Sequence, residues 1–232
     1  MPMDTLTPAA DLARAEPMRW PNESADYRAA RTALLVEEIE LRRHITRVND
    51  MRRALPEGGA IPQDYRFDGP EGPVALSQMF GKHDTLIVYC MMYGPKRETG
   101  CPMCSAQLDA WDGEARHIEK RAALAVVARS PIERIRKYAK ERGWTHLSVY
   151  SDPTGDFWAD YNRDRDADMP AYAVFHRGAD GTIRHFWSPE AGFATADPGQ
   201  DPHLAPDMNP LWILLDTTPE GRGTDWYPKL DD

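Results

Sequence analysis

The chain has 232 residues, about one and a half times the ~150 residues of a usual domain, so one elaborated domain or a domain with an appendage is expected. Its 28 Lys and Arg against 37 Asp and Glu leave a formal charge of −9, which supplies no cationic excess for a phosphate backbone and argues against nucleic-acid binding. The apolar share of 41%, with 16 glycines and 20 prolines, belongs to chains that bury a sizeable core.

Three cysteines, Cys90, Cys101 and Cys104, cannot make the even, dispersed set of a secreted disulfide scaffold, so a reducing compartment and a cytoplasmic address are expected. The first residues lack the basic head and apolar run of a signal peptide. No stretch reaches the ~18 uninterrupted apolar residues of a membrane span.

In chain order, residues 1–23 are rich in Pro, Ala and acids without a period and read as a loosely ordered arm. Residues 24–56 read as one long helix, with Leu34, Leu41, Ile45, Val48 and Leu55 on an apolar stripe, ended by Pro56, Gly58 and Gly59. Such a stripe suits packing on the chain's own domain. It also approaches heptad spacing, so a homodimer through this helix is the sharper expectation.

Residues 60–190 carry the pattern of a core. Tyr65 and Phe67 suggest a short strand before a turn at Gly69, Pro70, Gly72 and Pro73; Val74, Leu76, Met79 and Phe80 follow as a strand or helical turn. Leu86 to Tyr93 is an apolar, β-branched run of the kind buried on both sheet faces. After Cys101-Pro102-Met103-Cys104, the spacing of Leu108, Trp111, Ala115 and Ile118 predicts a helix. Leu124 to Ala128 is a second buried strand. Ser130-Pro131-Ile132-Glu133 predicts a capping box with proline at the first helical position. A third strand at Leu147 to Tyr150, a short helix around Phe157 to Tyr161, and a hairpin of Ala171 to Phe175 with Thr182 to Trp187 complete the series. Alternating strands and helices imply a parallel sheet that turns antiparallel at its end. Residues 191–232 read as an irregular extension packed on the core, with the apolar Leu211 to Leu215 docking it.

The chemistry lies in the C-x-x-C. Two thiols three residues apart share one helical face and can close a small disulfide, and free amides with the positive end of the helix dipole lower the pKa of the first cysteine. Pro102 suits the first turn because it has no amide proton to leave unpaired. Cys101 is therefore the expected attacking thiolate and Cys104 the resolving thiol. A structural zinc site would need two more ligands, which Cys90 in its strand and the scattered histidines do not supply. Two idle thiols capping a helix are the plain alternative, and Cys90 reads as a small core residue. Lys96 and Arg97 could hold the thiolate, but they read first as solvated loop charges. Pro170, entering the strand at Ala171, is either strand punctuation or, with a cis Met169-Pro170 bond, a backbone edge presented to an extended substrate.

The order strand, C-x-x-C helix, strand, helix, proline, hairpin resembles the thioredoxin-like fold, in particular its peroxiredoxin-like branch, which inserts a strand and short helix where Ser151 to Tyr161 lie. More specifically, Tyr93-Gly94-Pro95 through Gly100 to Ser105, the long helix, and the tail from Leu215 to Gly223 resemble the DUF899 family, thioredoxin-like proteins predicted to be dithiol-disulfide oxidoreductases. The resemblance runs from about Ser24 to the C-terminus. It departs at Ser105-Ala106-Gln107, where the family commonly continues with aromatic residues, and Thr99 stands one residue from the place a peroxidase motif gives its threonine. The resemblance implies an α/β fold with a central mixed sheet flanked by helices. It implies an oxidoreductase with Cys101 and Cys104 as the redox pair, Met169, Pro170 and Pro102 beside the substrate, and no cofactor or metal. The expected partner is a disulfide-bearing protein or a small thiol, with no nucleic acid and no membrane. A thiol peroxidase and a non-catalytic binding or assembly protein are the alternatives.

Overall fold

The computed structural model describes residues 6–15, 18–162, 165, 168–190, 207–223 and 226–230. The first part of the irregular extension expected over 191–232 therefore lies outside the described residues. The chain divides into two compact units, Met1–Pro56 and Glu57–Asp232.

The first unit holds α1 (Ala9–Ala15) and α2 (Ala25–Arg53). Thus part of the segment expected to be a loose arm is helical. Ser24 caps α2 by accepting from the Tyr27 amide at 3.1 Å, and Glu23 accepts from Arg28 at 2.8 Å, so the helix start is fixed twice over. The small side chains Ala9 and Ala13 are buried together with Ile39, and Leu35 and Val36 pack on them. The expected stripe is not the buried one: Leu34, Leu41, Ile45 and Leu55 are all exposed. Alanines on α1 permit close approach only to the face carrying residues 35, 36 and 39, which is rotated from the heptad-like row.

The second unit is a layered α/β structure. Its strands are β1 (Arg66–Gly69), β2 (Gly72–Ala75), β3 (Thr85–Cys90), β4 (Ala123–Ala128), β5 (Ser148–Ser151), β6 (Ala171–Arg177) and β7 (Ile183–Trp187). They form one sheet in the order β2-β1-β5-β4-β3-β6-β7. Strands β3, β4 and β5 are parallel, while β6 pairs antiparallel with β3 and β7 antiparallel with β6. This mixed sheet, with helices on its faces and the C-x-x-C after β3, is thioredoxin-like. The antiparallel β1-β2 hairpin extends the far edge.

The helices are α3 (Leu76–Met79), α4 (Pro102–Ile118), α5 (Ile132–Arg142), α6 (Asp156–Tyr161) and α7 (Pro210–Leu215). The period of two in the central strands divides the core. Leu86, Val88 and Cys90 join Phe67, Phe80, Phe157, Trp158 and Phe175 on one face. Tyr89 and Met91 join Leu108, Trp111, Ile135 and Tyr138 on the other, beneath α4 and α5. Cys90 is therefore buried on the opposite face from Tyr89 and faces away from α4.

Two local expectations change. Strand β3 ends at Cys90, and Met91 to Gly100 turn into the loop that leads to α4. At α5 the N-cap is Pro131 with no side-chain cap, so the predicted capping box does not form. Ser130 is instead a buried clasp: its amide reaches the Tyr93 carbonyl at 2.9 Å, its hydroxyl the Gly94 carbonyl at 3.2 Å, and its carbonyl accepts from the Ser151 hydroxyl at 2.7 Å. Burial between three strand ends decides this, because each of its polar atoms must find a partner there.

Candidate functional site

The loop that delivers Cys101 is held from several sides. The Met91 amide continues the ladder to Val127 at 2.8 Å, and the Cys101 amide turns back to Met92 at 3.0 Å. Arg134 of α5 donates to the carbonyls of Arg97, Pro95 and Glu98, and its guanidinium lies 5.0 Å from the centre of the Tyr93 ring. Gly100 is needed for close approach, since a Cβ there would lie 2.5 Å from the Met91 terminal methyl and 2.8 Å from the Tyr138 ring. Ser105, one turn into α4, donates to the Cys101 carbonyl at 2.9 Å and shares a 2.7 Å hydrogen bond with the Tyr138 hydroxyl.

Cys101 is the N-cap of α4 and Pro102 its first residue. The Cys101 thiol is half-buried and Cys104 is buried, and the two are unbridged. Cys104 donates to the Cys101 sulfur, and that bond is the main reason the Cys101 pKa falls to about 6. Burial opposes the fall, while the Met103 and Cys104 amides and the Arg97 charge assist it. These amides face the sulfur electrostatically without closing a full capping hydrogen bond. The same contact, together with burial and the neighbouring charge, pushes the Cys104 thiol far up. Tyr89 also hydrogen-bonds Cys104 and favours its anion. Burial keeps Cys90 protonated on its own face of the sheet.

Arg97 is not the solvated loop charge expected: it forms an ion pair with Asp168, half-buried on both sides, at the foot of the loop that enters β6. Lys96 stays exposed. Gly94 lets this carboxylate approach, a Cβ there meeting it at 3.2 Å.

A cavity of about 500 Å³ opens beside the thiols. Cys101, Cys104 and Pro170 line it, so three of the expected residues converge. Pro102 and Met169 do not line it, and Met169 is exposed with its carbonyl accepting from Asn162. The lining also includes Tyr89, Gln107 and Tyr172 from the core and Met208, Trp212 and Arg222 from the C-terminal segment. Arg222 pairs with Asp207 at 2.8 Å and with Asp216, and lies 5.6 Å from the centre of the Trp212 ring. Trp111 donates to the Met208 carbonyl at 3.2 Å, fixing the segment to α4. Sequence reasoning missed Tyr89, Gln107 and Arg222. Of these, the position of Gln107 three residues after Cys104 was the available signal, because i and i+3 share a helix face.

A family profile described as a bacterial protein of unknown function, DUF899, matches residues 18–232. The chain belongs to this family. No curated protein matches it. Among solved structures, this DUF899 member is similar to a cysteine-to-serine variant of PrxQ from Xylella fastidiosa, at 14% identity and TM-score 0.42, covering 58% of this chain and 86% of that one. It is also similar to a secreted Mycobacterium tuberculosis disulfide oxidoreductase homologous to DsbE, at 19% identity and TM-score 0.36, covering 53% and 81%. A third similarity is to peroxiredoxin Q of Xanthomonas campestris, at 15% identity and TM-score 0.41, covering 56% and 85%. Among the described residues of this DUF899 chain, no helix is long and apolar enough to cross a membrane, and no cluster of three or more His, Cys, Asp or Glu is placed to hold a metal.

Proposed function

We propose that this chain is a thiol-disulfide oxidoreductase that cycles Cys101 and Cys104 between dithiol and disulfide. The observation that carries the reading is the asymmetry of the pair. Cys101 stands half-exposed at a helix start with its pKa lowered to about 6, and Cys104 is buried and keeps its proton while donating to it. An attacking thiolate and a reserve thiol are the two species the reaction needs.

The Cys101 thiolate attacks one sulfur of a substrate disulfide. The substrate S–S bond breaks, its second sulfur leaves as a thiolate that takes up a proton, and Cys101 is joined to the first sulfur. This step removes the negative charge and the acceptor that hold the Cys104 proton in place. Cys104 thus becomes more acidic when its anion is required, and the Tyr89 hydroxyl stabilises that anion. The Cys104 thiolate attacks the Cys101 sulfur, the mixed disulfide breaks, and the substrate leaves as a second thiol carrying the proton that Cys104 gave up. Two electrons pass from the dithiol to the substrate, and the Cys101–Cys104 disulfide remains.

Single-turnover mixing of the reduced chain with a disulfide, followed by mass analysis, tests the scheme. Cys104→Ser should trap a mixed disulfide on Cys101, and Cys101→Ser should abolish the reaction. Full activity in Cys101→Ser would overturn the assignment. Peroxide consumption well above that of free cysteine in stopped flow would move the chemistry to a thiol peroxidase, with Cys101 oxidised to a sulfenic acid that condenses with Cys104.

A further inference from the structure

The residue that the exchange chemistry leaves unused is Gln107. It sits one turn beyond Cys104 on the same face of α4, followed by Trp111, and it is about nine-tenths buried. Gln107 lines the cavity beside the two thiols, and its Nε2, itself shielded from solvent, has no hydrogen-bond partner among the described residues. A buried donor without an acceptor destabilises the fold, so its presence beside the two thiols points to an acceptor that arrives with a ligand.

The surroundings limit what that ligand can be. The cavity, about 500 Å³, has the size of a small-molecule site. One wall is the C-terminal segment, with Met208 held by Trp111 and Asp207 held by Arg222, so the face beside Cys101 is a walled chamber rather than an open sheet edge. The carbonyl of Met169, which an extended polypeptide would use beside Pro170, has one of its two lone pairs engaged by Asn162. The exposed lining is mainly apolar, Met92, Met103, Tyr172 and Trp212 contributing to it.

We propose that the cavity binds a low-molecular-weight disulfide bearing a carbonyl or carboxylate oxygen, which accepts a hydrogen bond from Gln107 Nε2 while one of its sulfurs meets Cys101. This rests on the exchange chemistry proposed above and names its substrate class. The ligand's S–S bond receives the two electrons of the Cys101–Cys104 pair and leaves as two thiols, so the first turnover needs no further reductant.

The test compares rates at which reduced full-length chain is oxidised, in single turnover, by glutathione disulfide, by cystamine and by the disulfides of insulin. Glutathione disulfide carries carbonyl and carboxylate acceptors, whereas cystamine carries none. Wild type should react faster with glutathione disulfide than with insulin. The ratio of its rate constant with glutathione disulfide to that with cystamine should fall about 10-fold in Gln107→Met and further in Gln107→Glu, which keeps the shape but repels a carboxylate. Unchanged thermal melting of both variants verifies their folding. In addition, S-methylglutathione, which cannot exchange, should bind the Cys101→Ser chain in calorimetry, and Gln107→Met should weaken that binding. An unchanged ratio, or faster reaction with insulin than with either small disulfide, would overturn the small-disulfide assignment while leaving the exchange chemistry standing. Failure of all three disulfides to oxidise the pair would overturn the exchange chemistry itself.

Discussion

Replacing Cys104 by alanine separates the contributions that lower the Cys101 pKa. In the folded chain that pKa falls from an ordinary 9.0 to about 6, and the Cys104 hydrogen bond is its largest cause. At pH 7 a thiol titrating near 6 is ~90% thiolate, against ~1% for one near 9. The gain in rate is far smaller than these fractions suggest, because an anion of a more acidic thiol is intrinsically less nucleophilic. With a Brønsted slope of ~0.4–0.5 the loss is roughly 20-fold, leaving a net advantage of only about 4-fold at pH 7. A rate at one pH would therefore say little, and the midpoint of the pH profile is the quantity to measure. Iodoacetamide labelling of Cys101, followed by peptide mass between pH of about 4 and 10, should give a wild-type midpoint near 6. A hydrogen bond to a charged acceptor contributes about 1.5–3 kcal/mol, which corresponds to a rise of roughly 1–2 pH units when Cys104→Ala removes it. Cys104→Ser keeps a hydroxyl donor and should move the midpoint less. A wild-type midpoint near 8.5, or the same midpoint in all three proteins, would refute the reasoning.

Other consequences follow from the same geometry. Cys101 titrates lower in the folded chain than in the unfolded one, so between pH of about 6 and the ordinary thiol range the unfolded state holds more protons. The reduced chain should therefore gain stability as pH rises through that window and lose it as pH falls through about 6. Above the window the slope should reverse, because Cys90 and Cys104 are held protonated by the fold. Urea midpoints across pH test this, and Cys101→Ser should flatten the first slope. Gly100→Ala forces a methyl group against Met91 and Tyr138 and should cost about 1–3 kcal/mol in denaturant unfolding. Arg222→Met removes the partner of Asp207 and Asp216 and should increase hydrogen exchange in residues 207–216 while leaving the central strands protected.

Much of the fold was legible because periodicity speaks directly to local structure. The apolar alternation of Leu86 to Cys90 and of Leu124 to Ala128 marked the central strands, and Pro102 after Cys101 marked the start of α4. What was misread has a common cause. Ser130 followed by Pro131 has the letters of a cap, but its burial between strand ends redirected the hydroxyl to Gly94. Leu34, Leu41 and Ile45 had the spacing of a packed stripe, but the alanines of α1 met the neighbouring face of α2. Arg97 looked like a free loop charge because its partner, Asp168, stands 71 residues away.

The sequence alone determined where the two thiols of the C-x-x-C stand: a cysteine before proline at a helix start, with a second cysteine one turn on, sets their spacing and exposes the first to free amides. Those are short-range properties of the backbone. Which groups surround the pair was decided only by tertiary structure. Tyr89 beneath Cys104, Asp168 paired with Arg97, and the Trp111 contact that holds a distant segment beside the cavity all join residues separated in the chain. Helical period put Gln107 on the face of Cys104, but that Met208, Trp212 and Arg222 line the same cavity, and that its buried Nε2 has no partner among the described residues, are properties of the tertiary structure. Spacing assigns a residue to a face; long-range packing decides what that face meets.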